Sequence, residues 1–247
     1  MLADLALRDI AALGGLHDFD GILDRDNVIL ARLVEVGDHG GKRGGLAGAD
    51  RAGDENEPVV VGEKPLQRFQ VRGETEVGEH TKSFATALKG ALREDPDVIV
   101  IGELRDLETI EMAVSAAETG HLVIGTMHTS DAATTLNRLL DVFPPSQQMQ
   151  IRATVSESLR GIVCQRLLAA TNGGLVLACE ILINNVAIAA LIRDGKTTGL
   201  RNTMETGLKD GMCLMDNVIF TLWQERKVSA ELALASISNR VLRARIT

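Results

Sequence analysis

Residues 92–106 read Leu92-Arg-Glu-Asp-Pro-Asp-Val-Ile-Val-Ile-Gly-Glu-Leu-Arg-Asp106, and this stretch decides the fold. Asp95-Pro96 ends whatever helix precedes it, because proline disfavours helical backbone in the residue before it. Val98-Ile-Val-Ile101 is short, wholly apolar and β-branched, the pattern of a strand buried on both faces of a parallel sheet. The polar run Gly102-Glu103-Leu104-Arg105-Asp106 then falls at the strand's carboxyl end. Asp106 is placed to cap a helix running to about Thr119, with Gly120 as its stop.

Working outward, Ser83 to Arg93 reads as a helix with Phe84, Leu88, Ala91 and Leu92 on one side. Downstream, His121-Leu-Val-Ile-Gly-Thr126 is a second buried strand. A helix from Ala132 to about Val142 follows a Ser/Asp cap and breaks at Pro144-Pro145. Ile151, Val155, Leu159, Ile162, Val163 and Leu167 recur at three- and four-residue steps, which predicts one long helix from about Ser146 to Ala170. Asn172-Gly-Gly174 leads to a strand over Leu175 to Ile183, and the remainder reads as helices at about 185–194, 212–226 and 229–243. Strand–helix alternation predicts an α/β fold: a parallel sheet flanked by helices, then a C-terminal helical region. Ligands of such sheets sit at the carboxyl ends of the strands. Two of those ends carry polar chemistry here, at 102–106 and at Thr126-Met-His-Thr-Ser130.

The first third differs. Residues 1–75 hold 12 of the 24 glycines, so long periodic elements are not expected there. Short helices at 2–13 and 27–35 and a strand at 58–62 are the only candidates, and they do not suggest a core. The division this suggests is an irregular segment at 1–75, an α/β core at 76–184 and a helical region at 185–247.

Composition excludes several classes. The formal charge of −8 argues against a nucleic-acid binder, which needs a basic face. Aromatics at 2% leave no base-stacking platform. Cys164, Cys179 and Cys213 form no CxxC pair, so a four-thiolate zinc site is excluded and core packing in a reducing cytosol is expected. Asp4, Arg8 and Asp9 interrupt the first apolar stretch, which is not a secretory signal, and no apolar run approaches the ~20 residues a bilayer demands.

Glu103, just past a buried strand, can orient and polarise an attacking water directly or through a Mg²⁺-bound water; alone it would be an ordinary turn acid. His128 at the neighbouring strand end is otherwise a histidine bonded to a backbone carbonyl. Thr126 and Thr129 are either secondary polar contacts or satisfy turn amides. His121 reads as structural, and Arg105 as a partner for a carboxylate.

The 92–106 stretch closely resembles the Walker B element of the secretion-superfamily ATPases that drive type II secretion and type IV pili. Glu103 matches the family's catalytic acid, and Gly102 stands where Walker B elements usually have Asp, as is the family's habit. Glu118-Thr-Gly-His-Leu-Val-Ile-Gly-Thr-Met-His-Thr-Ser-Asp-Ala-Ala133 resembles its His box, with His128 as the characteristic histidine near the terminal phosphate. The resemblance covers about residues 76–240. Glu76-Val-Gly78, Ser83-Phe84, Leu139-Leu-Asp-Val-Phe-Pro144 and Ser156-Glu-Ser-Leu-Arg160 look like the PilT branch of twitching-motility retraction motors. Ala187-Ile-Ala-Ala-Leu-Ile-Arg-Asp194 resembles a C-terminal motif tied to retraction, with Ala189-Ala190 where the family has Arg-Asn and Asp194 where it has Glu.

The resemblance implies a partial RecA-like P-loop ATPase core. It implies ATP and Mg²⁺ as cofactors and Glu103 and His128 as catalytic residues, with Gly102, Arg105, Thr126 and Thr129 near nucleotide. It also implies a homo-hexamer working on an inner-membrane pilus platform protein, cytoplasmic and peripheral to the membrane through partners. No direct membrane insertion, nucleic acid or protein-bound metal is expected. What the family has and this chain lacks is the phosphate-binding loop, G-x-x-x-x-G-K-[ST]. Gly40-Gly-Lys-Arg43 has no hydroxyl, and Gly195-Lys-Thr197 has Ala190 where the first glycine belongs. The family's acidic box and N-terminal PAS-like domain are absent too, and residues 1–75 resemble neither. Two readings follow: a motor ATPase subunit, truncated and impaired in ATP binding by itself, or a non-catalytic fragment or interaction module. A type II secretion or pilus-extension ATPase is a related alternative. Loss of two central strands would leave a parallel edge exposed to aggregation.

Overall fold

The computed structural model describes residues 84–94, 96 and 98–246, together with three strands further upstream: β1 (Asn27–Ala31), β2 (Val59–Glu63) and β3 (Gln70–Thr75). The predicted helix at 2–13 lies outside the described residues.

Five expected elements fall where the sequence puts them. Helix α1 (Phe84–Ala91) passes into a short 3₁₀ turn at Leu92–Glu94. Strand β4 (Val98–Ile101) is followed by helix α2 (Leu107–Glu118), whose N-cap is Asp106; the carboxylate accepts from the Thr109 amide at 2.9 Å. Gly120 follows that helix at φ 121°, a backbone conformation that side chains other than hydrogen resist. Strand β5 (Leu122–Met127) pairs with β4 in parallel register, Val98 opposite Leu122 through Ile101 opposite Gly125. Helix α3 (Ala132–Asp141) is capped by Asp131, and α4 (Pro145–Ser158) begins with proline at its first position, where no amide is needed.

The long helix expected over 146–170 is corrected. Its second half is strand β6 (Leu159–Ala169), which pairs antiparallel with β7 (Leu175–Ile183) from Gly161–Ile183 to Ala169–Leu175. The apolar spacing suits either element, but the β-branched pair Ile162-Val163 and the glycine turn beyond it favour a hairpin. Gly173 and Gly174 take φ of 89° and 79° in that turn. Gly161 is also needed for close approach, since a Cβ there would lie 2.8 Å from the Leu182 carbonyl oxygen.

The sheet order is β3-β2-β4-β5-β1-β6-β7. The predicted parallel arrangement is present as the β4–β5 pair, and antiparallel strands extend it on both sides, making a mixed sheet. β2 pairs with β4, and β1 pairs with both β5 and β6. The predicted helix at 27–35 is therefore corrected: Val28-Ile-Leu30 is β-rich and satisfies its backbone between two strands. The exposed parallel edge is corrected as well, because β2 and β1 occupy both flanks of the β4–β5 pair.

One core lies under α2, α3 and α4, where Ile99, Ile101, Ile110, Leu136 and Ile162 are fully buried. Val100, Ile124, Val163, Cys179 and Ile181 pack on the opposite face of the sheet. Cys164 and Cys179 are buried free thiols and Cys213 is half-buried. Burial pushes the first two up to about 12, so they pack as small apolar groups.

The C-terminal region contains α5 (Val186–Arg193), α6 (Leu200–Thr206), α7 (Met215–Gln224), α8 (Ala230–Ser236) and α9 (Arg240–Arg243). Helix α6 and the 3₁₀ turns on either side of it are not legible in the pattern. The expected helix over 229–243 is two, broken where Asp216 accepts the Ser238 and Asn239 amides, both at 3.0 Å. Among the described residues, no helix is long and apolar enough to cross a membrane.

Candidate functional site

The parallel register of β4 and β5 brings their carboxyl ends side by side. A cross-strand clasp fixes them: the Leu104 amide donates to the Thr126 carbonyl at 2.9 Å, and the Thr126 hydroxyl donates to the Gly102 carbonyl. Gly102 and Thr126 thus hold the two tips together, with Thr126 buried.

Glu103 is 8% exposed at this clasp. Its Oε1 lies 2.5 Å from Arg105 Nε and 3.6 Å from His128 Nε2. The first distance is a charge-assisted contact, whereas the second is too long for a hydrogen bond and is attractive only when the imidazole is protonated. Both partners reach toward solvent, with side-chain exposures of 75% for Arg105 and 55% for His128. Neither contact uses Oε2. The arrangement is a carboxylate oriented by a guanidinium, beside an imidazole, at the carboxyl tips of two neighbouring strands. Such a carboxylate can accept a proton from water or orient it toward an electrophile.

Of the remaining candidates, Thr129 faces inward: its hydroxyl meets that of Thr135 at 2.6 Å, and Thr135 also donates to the Asp131 carbonyl. His121 is held by the Ala116 carbonyl at 3.0 Å, as a structural histidine would be. Gly195-Lys-Thr197 forms no phosphate cradle. Gly195 turns the chain after α5 at φ 68°, and the Lys196 ammonium pairs with Asp194 at 2.9 Å.

Arg138 and Glu180, which sequence reasoning overlooked, and the expected cap Asp131 support the site. Arg138 on α3 donates to the His128 carbonyl at 2.6 Å, fixing the loop from the helix side. Asp131 accepts the Thr134 amide and hydroxyl and the Ser130 hydroxyl. Burial pushes Asp131 up, but these bonds and one from the Ala133 amide together hold it below the usual aspartate value. Glu180, 5% exposed in β7, accepts the Ala132 amide at 2.9 Å and the Met215 amide at 3.2 Å. Its signal was available, as the one charged residue in the apolar run Leu175-Val-Leu-Ala-Cys-Glu-Ile-Leu-Ile183.

The fit to nucleotide is partial. A carboxylate, an imidazole and a guanidinium converge, yet the sequence has no G-x-x-x-x-G-K-[ST] motif to cradle a triphosphate. Among the described residues, no group of three or more His, Cys, Asp or Glu side chains is placed to hold a metal ion. The described residues therefore supply part of a nucleotide site.

Comparisons with known proteins agree with the α/β architecture. A solved structure of the pilus retraction motor PilT with bound ADP superposes with a TM-score of 0.62 at 47% identity, covering 68% of this chain and 48% of that one. The ATPase DotB of Legionella pneumophila superposes with a TM-score of 0.58 at 27% identity, over 64% of this chain and 43% of that one. The architecture is accordingly a partial RecA-like core. The twitching motility protein of Neisseria gonorrhoeae is 48% identical over 159 residues, or 64% of this chain and 42% of that protein. The type IV pilus retraction ATPase PilT of Pseudomonas aeruginosa is 46% identical over 156 residues, or 63% and 45%. The chain thus spans less than half the length of these relatives. Residues 58–238 match the family described as type II/IV secretion system protein, beginning upstream of the resemblance read from the sequence. That match takes in more than half of the chain, and the chain belongs to the type II/IV secretion system protein family.

Proposed function

We propose that this chain carries the water-activating half of a type IV pilus retraction motor ATPase and does not hydrolyse ATP by itself. One observation carries the reading: Glu103 and His128 stand 3.6 Å apart on adjacent parallel strand tips. In this role Glu103 orients the attacking water and meets Mg²⁺ only through a bound water. Arg105 orients Glu103, and His128 stands toward the terminal phosphate. Gly102 and Thr126 clasp the strand tips, and Thr129 braces the His128 loop. Residues 76–184 act as the partial core and 185–247 as the helical region that transmits movement. The working assembly is a hexameric ring on an inner-membrane pilus platform protein, reached from the cytoplasm without insertion into the bilayer. Phosphoryl transfer depends on positioning. Without donors for the β- and γ-phosphates, Glu103 has no positioned electrophile, which favours a non-catalytic role for the chain in isolation.

The test is a chimera. The segment of an intact retraction ATPase that matches residues 58–238 is replaced by that of this chain, and phosphate release is measured. Turnover that vanishes with Glu103→Gln, alongside no turnover by the 247-residue chain alone, is the expected result. A folded chimera that hydrolyses ATP equally well with Glu103→Gln overturns the assignment.

A further inference from the structure

Glu180 lies outside the strand-tip site, yet its two carboxylate oxygens serve two different helices. Oε1 accepts the amide of Ala132, the first residue of α3, and Oε2 accepts that of Met215, the first residue of α7. Most helices satisfy their first amides with a local cap. Here one long-range carboxylate spans 48 residues to one helix and 35 to the other. Neither helix can shift its N-terminus without losing a hydrogen bond in a buried place.

Each helix is wired onward. Helix α3 grips the site, since Arg138 holds the His128 carbonyl and Asp131 closes the loop that carries His128. On the other side, Asp216 in the first turn of α7 pairs with Arg201 of α6 at 2.7 Å and accepts the Ser238 and Asn239 amides between α8 and α9. Asp216 is buried like Glu180. A continuous chain of polar contacts therefore runs from α6, α8 and α9 through α7 to Glu180, then through α3 to His128. Spatial continuity alone does not establish coupling, so the claim has to be energetic.

We propose that Glu180 is a positioning residue that transmits displacement of the C-terminal helical region to His128 by yoking the N-termini of α7 and α3. The motor reading supplies the significance of movement at His128, and this inference deepens that reading. A carboxylate is suited to the task, because it offers two acceptors and no donor to two inward-facing amides. Glutamine offers one acceptor and turns a donor toward the other amide. Aspartate, shorter by one methylene, keeps the charge but reaches only one helix.

The test needs no nucleotide, so its failure is distinct from failure of the ATPase assignment. The imidazole NMR signals of His128 are recorded in the full chain, with His121 as the internal control. Arg201→Gln frees Asp216 and loosens the first turn of α7. The expected result is that R201Q moves the His128 signals in the otherwise native chain, leaves those of His121 in place, and has no effect on His128 once Glu180→Gln is present. E180Q alone should also speed amide exchange at Ala132 or Met215 about tenfold, the change that follows loss of one such hydrogen bond. A double-mutant comparison of this kind separates coupling from mere destabilisation. If E180Q does not fold, Glu180→Asp takes its place in the same comparison with the same expectation. The proposal is overturned if R201Q shifts His128 equally in both backgrounds or not at all, or if both first amides keep their native exchange rates.

Discussion

Glu103 and Glu180 make an instructive pair. Both carboxylates are nearly inaccessible, at 8% and 5% exposure. Glu103 sits at a strand tip and is met by side chains that themselves reach into solvent. Glu180 sits within β7 and is met by two backbone amides. Side-chain partners can swing away when a ligand arrives, whereas backbone partners cannot move without moving a helix. Burial alone thus does not separate a carboxylate available for chemistry from one that holds the fold; the nature of the partner does. Burial raises Glu180 above the usual glutamate value, opposed by its two amide bonds, raised further by Asp131 and lowered by Arg201.

The comparison breaks most readily at Glu180. Glu180→Ala leaves two buried amides without acceptors at about 1–3 kcal/mol each, so urea unfolding should show a loss of about 2–6 kcal/mol. A loss below about 1 kcal/mol would place Glu180 in the same class as Glu103. Next in size is Asp106→Ala, which removes the cap of α2 and should lower stability by about 1 kcal/mol. That cap lies three residues beyond Glu103, so this variant shows whether the tip tolerates local loosening.

A smaller effect is expected from pH, and it has opposite signs at the two carboxylates of the α3 N-terminus. Asp131 is held below its ordinary value by its hydrogen bonds. Its contribution is present above the unfolded-state value and is lost as pH falls through the lowered native one. Glu180 is raised, so its ionised form costs stability above the native value, and that cost is relieved as pH falls through it. Unfolding followed from about pH 7 to about pH 3 should therefore lose its steepest acid decline in Asp131→Asn. In Glu180→Gln the opposing gain in stability as pH falls should disappear. Identical profiles in both variants would contradict the assigned partners.

Much of this contrast can be read in the sequence at Glu103 and little of it at Glu180, for a physical reason. Residues 92–131 are governed by local rules: proline stops a helix, a β-branched run makes a strand, and an aspartate three residues before an amide caps a helix. Each acts within a few residues, so β4, α2, β5 and α3 emerge with their ends nearly in place. Glu180 acts over 35 and 48 residues, and no periodicity announces such a bond. The same holds for β6. Its apolar spacing fits a helix, and only pairing with β7 decides for a strand. It holds again for β1, whose Val28-Ile-Leu30 becomes a strand because β5 and β6 offer two open ladders. Arg138 was missed on similar grounds, since a basic residue on the last turn of a helix is ordinary, and only the returning loop gives it the His128 carbonyl.

The smallest expected change is the most discriminating. Glu103→Gln replaces a carboxylate whose cationic partner is three-quarters exposed, and such pairs contribute little because water screens them and the long side chain loses rotamer freedom when held. The unfolding free energy should move by under about 0.5 kcal/mol. The His128 imidazole NMR signals should nonetheless move, because the charged oxygen 3.6 Å from its Nε2 has been replaced by a neutral amide. Stability nearly unchanged with shifted His128 signals is the signature of a carboxylate poised at a working site. A large loss of stability would mean that Glu103, like Glu180, is part of the scaffold. An unmoved His128 would mean that the two strand tips do not communicate.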